Sequence, residues 1–170
     1  ITVTVEDGGL DGDLGTAGDN AMFSRTFDVT VNATPTLNAL LNLTIDEDAA
    51  QQTVNLSGIS AGGGESQPLR VTASSSSTGL IPNPTVTYTS ANATGSIAFT
   101  PVADQTGTAT ITVTVEDGGL DNNLSTAGDN ATFSRTFDVT VNPVNDVPTL
   151  DALSNLSIVE DASEQTVNLA

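Results

Sequence analysis

Apolar and polar residues alternate with a period of two along most of this chain. In "TATITVTVED", Ile111, Val113 and Val115 share one face and threonines occupy the other. The segment "ATFSRTFDVTV" shows the same alternation with Phe and Val. This pattern is typical of half-buried β-strands, and no stretch has a convincing helical period. The sequence therefore predicts an all-β fold.

One charged residue interrupts the pattern. Arg135 falls on the apolar face of its predicted strand. A buried guanidinium without a partner is costly. We therefore expect either a β-bulge that turns Arg135 outward or a structural pairing with a carboxylate.

Residues 34–146 contain seven alternating segments, separated by turns rich in Gly, Asn, Asp, Ser and Pro. Seven short strands in about a hundred residues are the signature of an immunoglobulin-like β-sandwich. The chain has neither the Cys pair nor the Trp of a true immunoglobulin domain. The predicted strands are 40–45, 52–59, 68–74, 84–90, 95–100, 108–116 and 131–142.

The chain also repeats itself. Residues 1–32 align without a gap with 111–142, and the match resumes with 43–56 against 156–169. The offset is 110 residues before the junction and 113 after it, which is one whole domain rather than a solenoid turn. We expect a piece of a tandem array of seven-stranded sandwiches. Its parts are the last two strands of one repeat (1–33), a complete repeat (34–146) and the first two strands of the next (147–170).

The composition limits the function. The net charge is −18, with three Arg and no Lys, His or Cys. Such acidity argues against binding nucleic acid or anionic membranes, and no apolar run approaches the ~20 residues of a membrane span. Divalent cations are the natural counter-charge, although acidity alone also favours solubility. Without His and Cys most familiar nucleophiles are excluded, and the adjacent pair Glu116 and Asp117 has no accompanying cleft signal, so we expect no enzyme.

The junction "TFDVTVNPVNDVPTL" (136–150) resembles the domain junction of bacterial cadherin-like and VCBS-type repeats. "ITVTVEDGG" is similar to their penultimate strand, and "VEDAS" (159–163) to an early element. The resemblance covers every segment except the middle strands. It implies a cadherin-like sandwich in a very large secreted or surface-anchored bacterial protein that serves adhesion, biofilm matrix or filament formation. It also implies calcium at the junctions, and neighbouring repeats or identical chains as partners.

Oxygen-bearing residues are expected to meet at one end of the sandwich. There the first turn, the turn between the fifth and sixth strands, and the chain leaving the last strand converge. Calcium takes six to eight oxygen ligands, often from carboxylates and carbonyls. The candidates are Asp46, Glu47, Asp48, Asp104, Asn145 and Asp146, with Asp151 added by the next repeat. The alternative is a set of solvated turn carboxylates. The first junction (31–38) lacks the "PVND" insertion, so neither Asn145 nor Asp146 has an expected counterpart there.

The long loop 116–130 is a second candidate calcium site. Asp121, Asn123, Ser125 and Asp129 follow positions 1, 3, 5 and 9 of a calcium-loop spacing. Asp117 precedes them, and the earlier copy offers Asp11, Asp13 and Asp19. The closing Glu is absent and Gly is not at the sixth position, so the match is partial. A loop built of Asx turns is the alternative.

The leading hypothesis is a structural repeat of an extracellular or cell-surface protein or fibre. The alternative is a carbohydrate-binding module, since sandwiches often bind glycans. Such sites usually display aromatic platforms, and here Tyr88 is the only Tyr and there is no Trp.

Overall fold

The computed structural model describes residues 1–15 and 18–169. The described residues form nine β-strands and no helix, which confirms the all-β prediction. None of their segments is a helix that could cross a membrane. The strands are β1 (Thr2–Glu6), β2 (Met22–Thr26), β3 (Leu43–Asp46), β4 (Gln52–Ser57), β5 (Leu69–Ser75), β6 (Thr85–Thr87), β7 (Thr94–Phe99), β8 (Gly107–Asp117) and β9 (Thr132–Asn142).

Strands β3 to β9 lie within residues 34–146, which we call the central sandwich. They form a four-stranded sheet in the order β3-β9-β8-β5 and a three-stranded sheet in the order β4-β7-β6. β3 runs parallel to β9, and the other neighbours are antiparallel. Each of these strands overlaps one predicted segment. The immunoglobulin or cadherin type of the sandwich stays a prediction.

Both sheets contribute to one apolar core. Leu56 and Ile97 come from the three-stranded sheet, and Val113 and Val139 come from the four-stranded sheet. All four side chains are buried because the period-two alternation directs every second residue of each strand inward. This arrangement is consistent with a β-sandwich.

The expectation for Arg135 was wrong. β8 and β9 pair in continuous register, with Arg135 opposite Val113, and no bulge interrupts them. Arg135 is exposed, its guanidinium lies 4.9 Å from the Phe133 ring centroid, and its Nε donates to the Leu37 carbonyl at 3.3 Å. No carboxylate pairs with it in the described residues. β3 pairs only with Val139–Asn142, so β9 is the edge strand of the sheet at Arg135, and a cation–π contact is present where a bulge was predicted.

β1 and β2 form a separate two-stranded hairpin. Its register, from Thr2 opposite Thr26 to Glu6 opposite Met22, is the register of β8 and β9 shifted by 110 residues. The surroundings differ, because Val5 is 66% exposed whereas its equivalent, Val115, is 0% exposed. The hairpin therefore has the geometry of the last two strands of a sandwich with its apolar face uncovered.

Residues 147–169 contain no strand, and their side chains are exposed. A single turn lies at 160–161, where Asp161 has a φ of +61°, close to the +62° of Asp48, its equivalent at an offset of 113. The division of the chain into repeats, including the two strands expected in 147–170, stays a prediction.

Candidate functional site

Three acidic side chains meet at the end of the central sandwich where β9 leaves it. Asp48 follows β3, Asp104 lies between β7 and β8, and Asp146 lies four residues beyond β9. One carboxylate oxygen from each lies within 4.8 Å of the others. All three residues are exposed. The convergence expected from the topology is therefore present for these three residues.

Local backbone geometry explains two of these positions. Asp48 has a φ of +62° and Asp104 a φ of +58°, in the left-handed region. Asp and Asn adopt this region more readily than most residues and often occupy tight turns. Turn chemistry alone therefore accounts for Asp at both positions, and only the position of the third carboxylate, from Asp146, adds a reason to consider a cation.

The spacing of the three carboxylates fits calcium. Calcium–oxygen distances are about 2.3–2.6 Å, so two ligands on one ion lie at most about 5 Å apart. The oxygens of Asp48, Asp104 and Asp146 satisfy this limit. Three exposed carboxylates so close together repel one another, and a divalent cation would relieve that repulsion. The residues present therefore fit calcium, although they supply only part of its usual set of six to eight oxygens.

The other candidate ligands predicted at this end do not join the group of three carboxylates. Glu47 is 7% exposed, and its Oε1 accepts a hydrogen bond from the Val144 amide at 2.7 Å. Its own amide donates to the Asn142 carbonyl at 2.9 Å, so Glu47 ties down the chain that leaves β9. Asp46 is exposed at the end of β3, Asn145 donates to the Asp146 carbonyl at 3.2 Å, and Asp151 is exposed.

The side chains of the long loop between β8 and β9 bond mainly to its own backbone. Asp121 Oδ1 accepts from the Asn123 amide at 2.9 Å, and Asn123 Oδ1 accepts from the Ser125 amide at 3.0 Å. Asp129 Oδ2 accepts from the Leu120 amide at 2.8 Å. No three carboxylates of this loop come together in the described part of the chain. The geometry is that of Asx turns, and a metal site here stays a prediction.

The first copy of this loop repeats the same contacts. Asp11 Oδ1 accepts from the Asp13 amide at 2.9 Å, and Asp19 Oδ2 accepts from the Leu10 amide at 2.8 Å. These distances match those at the equivalent positions of the second copy. The loop therefore folds by local hydrogen bonding, whether or not a sandwich surrounds it.

Asp117 is the one fully buried carboxylate in the described residues. It continues the inward face of Val113 and Val115, a signal that is visible in the sequence. Its Oδ1 accepts from the amides of Gly119 at 3.0 Å and Ala131 at 2.8 Å. Burying an acidic group requires such donors, because an unpaired buried charge is very costly.

Sequence reasoning missed three polar residues beside Asp117. Asn32 donates its side-chain amide to Asp117, and Gln67 donates to the Asn32 side-chain oxygen at 2.7 Å. Glu65 accepts from the Ala33 amide at 3.2 Å. Glu65 and Gln67 lie in an irregular segment, and Asn32 follows the alternating residues 21–31, so no pattern in the sequence marks the three residues as partners of Asp117.

Glu116 points to the opposite face of β8 from Asp117. It forms an ion pair with Arg70 and accepts from the Asn130 side chain at 3.0 Å. The hydrogen bond from Asn130 lowers the pKa of Glu116 from its usual 4.5, and Arg70 lowers it further, while partial burial opposes both. This group stabilises the base of the loop.

The carbohydrate-binding alternative gains little from the structure. Tyr88 lines an open groove with Arg70 and Ser90. Its hydroxyl donates to the Asn92 carbonyl at 3.0 Å, and burial raises its pKa. A single partly buried ring does not form an aromatic platform.

No protein-family model matches this chain, and no curated protein matches it. Similar solved structures include the S-layer protein SbsC domains 4 and 5, at 16% identity and a TM-score of 0.42, covering 74% of this chain and 53% of that one. Another is the S-layer protein rSbsC(31-844), at 15% identity and a TM-score of 0.43, covering 89% of this chain and 18% of that one. The chain thus spans about half of the first and under a fifth of the second. At TM-scores this low, the similarities assign no function to the chain.

Proposed function

We propose that this chain is a stretch of tandem immunoglobulin- or cadherin-like sandwich repeats in an extracellular structural protein. The repeats extend a surface protein or build a fibre, in adhesion, matrix or filament formation. Calcium binds at the end of the central sandwich, through Asp48, Asp104 and Asp146. The resemblance of the "PVNDVP" junction to bacterial surface repeats supports the extracellular setting.

The observation that carries the proposal is the duplicated hairpin. β1 and β2 have the same register as β8 and β9, and their loop makes the same hydrogen bonds. Its uncovered valines are equivalent to core valines of the central sandwich. The apolar face of the hairpin is present in both copies. Because such a face is suited to packing against a second sheet, each copy fits a sandwich of its own, which favours a tandem array.

The position of the acidic cluster gives calcium a mechanical role. Asp48 and Asp104 belong to turns of the sandwich, while Asp146 belongs to the segment that leaves it. An ion shared by all three would hold that segment against the sandwich and fix its direction. Glu47 already binds the same segment through the Val144 amide, so the ion would stiffen a contact that exists without it.

Isothermal titration of the full chain with calcium chloride tests this proposal. We expect saturable binding with a Kd of about 0.1–1 mM, the range of extracellular calcium modules. Asp104→Asn should abolish binding, because it removes a ligand charge while Asn tolerates the left-handed backbone. Asp121→Asn, in the loop of Asx turns, is the matched control and should bind normally. Absence of saturable binding, or equal loss in both variants, would contradict the calcium site.

A further inference from the structure

We propose that each sandwich binds the end of the preceding repeat through one asparagine: Asn32 at the first junction and Asn145 at the second. We call this asparagine the anchor. The inference rests on the proposed tandem array and specifies how successive repeats recognise each other. It requires no calcium.

The anchor side chain forms hydrogen bonds through both its amide nitrogen and its carbonyl oxygen. Asn32 Nδ2 lies 3.1 and 3.3 Å from the two oxygens of Asp117, and 3.0 Å from the Asp129 carbonyl oxygen. Asn32 Oδ1 accepts from Gln67 Nε2 at 2.7 Å. Asp117 is 0% exposed and Gln67 is 7% exposed, so the partners are buried. Buried polar groups are costly to leave unpaired, which makes this contact selective for an amide at position 32.

The backbone after the anchor is also held. The Ala33 amide donates to both carboxylate oxygens of Glu65, at 3.2 and 3.3 Å. A Cβ on Gly62 would lie 2.1 Å from the Thr34 carbonyl oxygen, and a Cβ on Gly63 would lie 2.8 Å from the Ala33 Cβ. The two glycines thus form a close-fitting cradle for residues 33–34. Side-chain and backbone contacts independently indicate a built receptor for this segment.

The second junction preserves the anchor despite its insertion. The receptor belongs to the following repeat, so equivalent positions are counted back from that repeat. Asn32 lies three residues before Pro35, and Asn145 lies three residues before Pro148. Asn145 therefore has a counterpart in the first junction after all, contrary to the sequence expectation.

The same alignment separates the anchor from the calcium cluster. Asp146 corresponds to Ala33, so the first junction keeps the anchor but lacks the third carboxylate. Within the described residues, the Asn145 side chain donates to the adjacent Asp146 carbonyl at 3.2 Å. The anchor is thus common to both junctions, whereas the complete acidic cluster is confined to the second.

Asp7, in the first copy of the loop, makes the same backbone contacts as Asp117. It is the equivalent of Asp117, and its Oδ1 accepts from the Gly9 amide at 3.0 Å and the Ala21 amide at 2.9 Å. These are the same two backbone donors that Asp117 uses. The local backbone of the loop therefore positions this carboxylate in the same way in both copies.

Thermal unfolding and amide hydrogen exchange of the full chain in EDTA test the anchor. Asn32→Ala should lower Tm by on the order of 5 °C and accelerate exchange of the Ala33 amide. We expect that amide to exchange slowly in the parent chain, because it donates to Glu65. Asn92→Ala is the control. It removes the same residue type from an exposed position where only the backbone carbonyl of Asn92 accepts a hydrogen bond, from Tyr88, and it should leave both Tm and exchange unchanged.

Equal Tm changes in the two variants would overturn the anchor. So would free exchange of the Ala33 amide in the parent chain, or protection that appears only with calcium. Because these measurements exclude calcium, they fail independently of the titration that tests the proposed calcium site. If calcium does not bind, the anchor can still be detected in EDTA. If the anchor fails its test, the calcium site can still be detected by titration.

Discussion

Asn32 donates to both carboxylate oxygens of Asp117, 85 residues further along the chain, at 3.1 and 3.3 Å. This contact joins the segment after the first hairpin to the loop between β8 and β9. It lies at the end of the central sandwich opposite the acidic cluster. The central sandwich thus binds the preceding segment at one end and has candidate cation ligands at the other.

Matched valines in the two copies of the hairpin should respond differently to Thr. Val115→Thr places a hydroxyl in the core and should lower the free energy of unfolding by about 1–3 kcal/mol. Val5→Thr changes an exposed side chain and should alter it by less than about 0.5 kcal/mol. Urea unfolding of the full chain measures both. A large effect of Val5→Thr would mean that the first hairpin is packed against other residues of this chain.

Gly62 and Gly64 form a second matched pair. Their φ angles are +86° and +83°, so Ala at either position incurs the left-handed cost of about 1–2 kcal/mol. A Cβ on Gly64 meets nothing within 4 Å, whereas one on Gly62 meets the Thr34 carbonyl oxygen. Gly62→Ala should therefore destabilise the chain by about 1–3 kcal/mol more than Gly64→Ala. Equal unfolding midpoints in urea would show that residues 33–34 do not occupy the cradle.

Glu116 should contribute to the pH dependence of stability. The Asn130 hydrogen bond, and then Arg70, lower its pKa in the folded chain below the usual 4.5. A lowered carboxyl pKa contributes stability that is present above pH 4.5 and is lost as the pH falls through the folded value. Asn130→Ala should raise the Glu116 pKa, as measured by NMR titration of its carboxyl carbon. Asn20→Ala, which removes the equivalent amide of the first copy, should leave that titration unchanged.

The strands could be predicted because a two-sided sheet imposes a period of two. Ile111, Val113 and Val115 all point into the core, as their alternation indicated. The same rule failed at Arg135, where β9 has no β3 neighbour and a residue of inward parity reaches solvent at the edge of the sheet. Parity therefore predicts burial less well at a sheet edge than in a central strand.

The acidic sites show a different limit. Topology correctly brought Asp48, Asp104 and Asp146 together, since turns at one end of a sandwich must be neighbours. The spacing of Asp121, Asn123 and Ser125 predicted a calcium loop or a loop of Asx turns; the structure shows Asx turns, and a metal site there stays a prediction. The spacing of residues alone does not reveal whether their side-chain oxygens accept hydrogen bonds from backbone amides.

The anchor could not be predicted from the sequence. Asn32 follows the alternating residues 21–31, and its partners Gln67 and Asp117 are 35 and 85 residues away. Only the folded arrangement brings the segments of Asn32 and Gln67 together with the end of β8. The position of Asp117 gave partial information, because an acidic residue on the inward face of β8 requires buried hydrogen-bond donors.

Thermal unfolding of the full chain in calcium and in excess EDTA tests the central claim most directly. A ligand that binds only the folded state must raise Tm. We predict a higher Tm in calcium for the parent chain, and no calcium-dependent rise for Asp146→Ala, which removes the carboxylate of the segment leaving β9. An unchanged Tm in calcium, or an undiminished rise in Asp146→Ala, would contradict a calcium site that joins the sandwich to this segment.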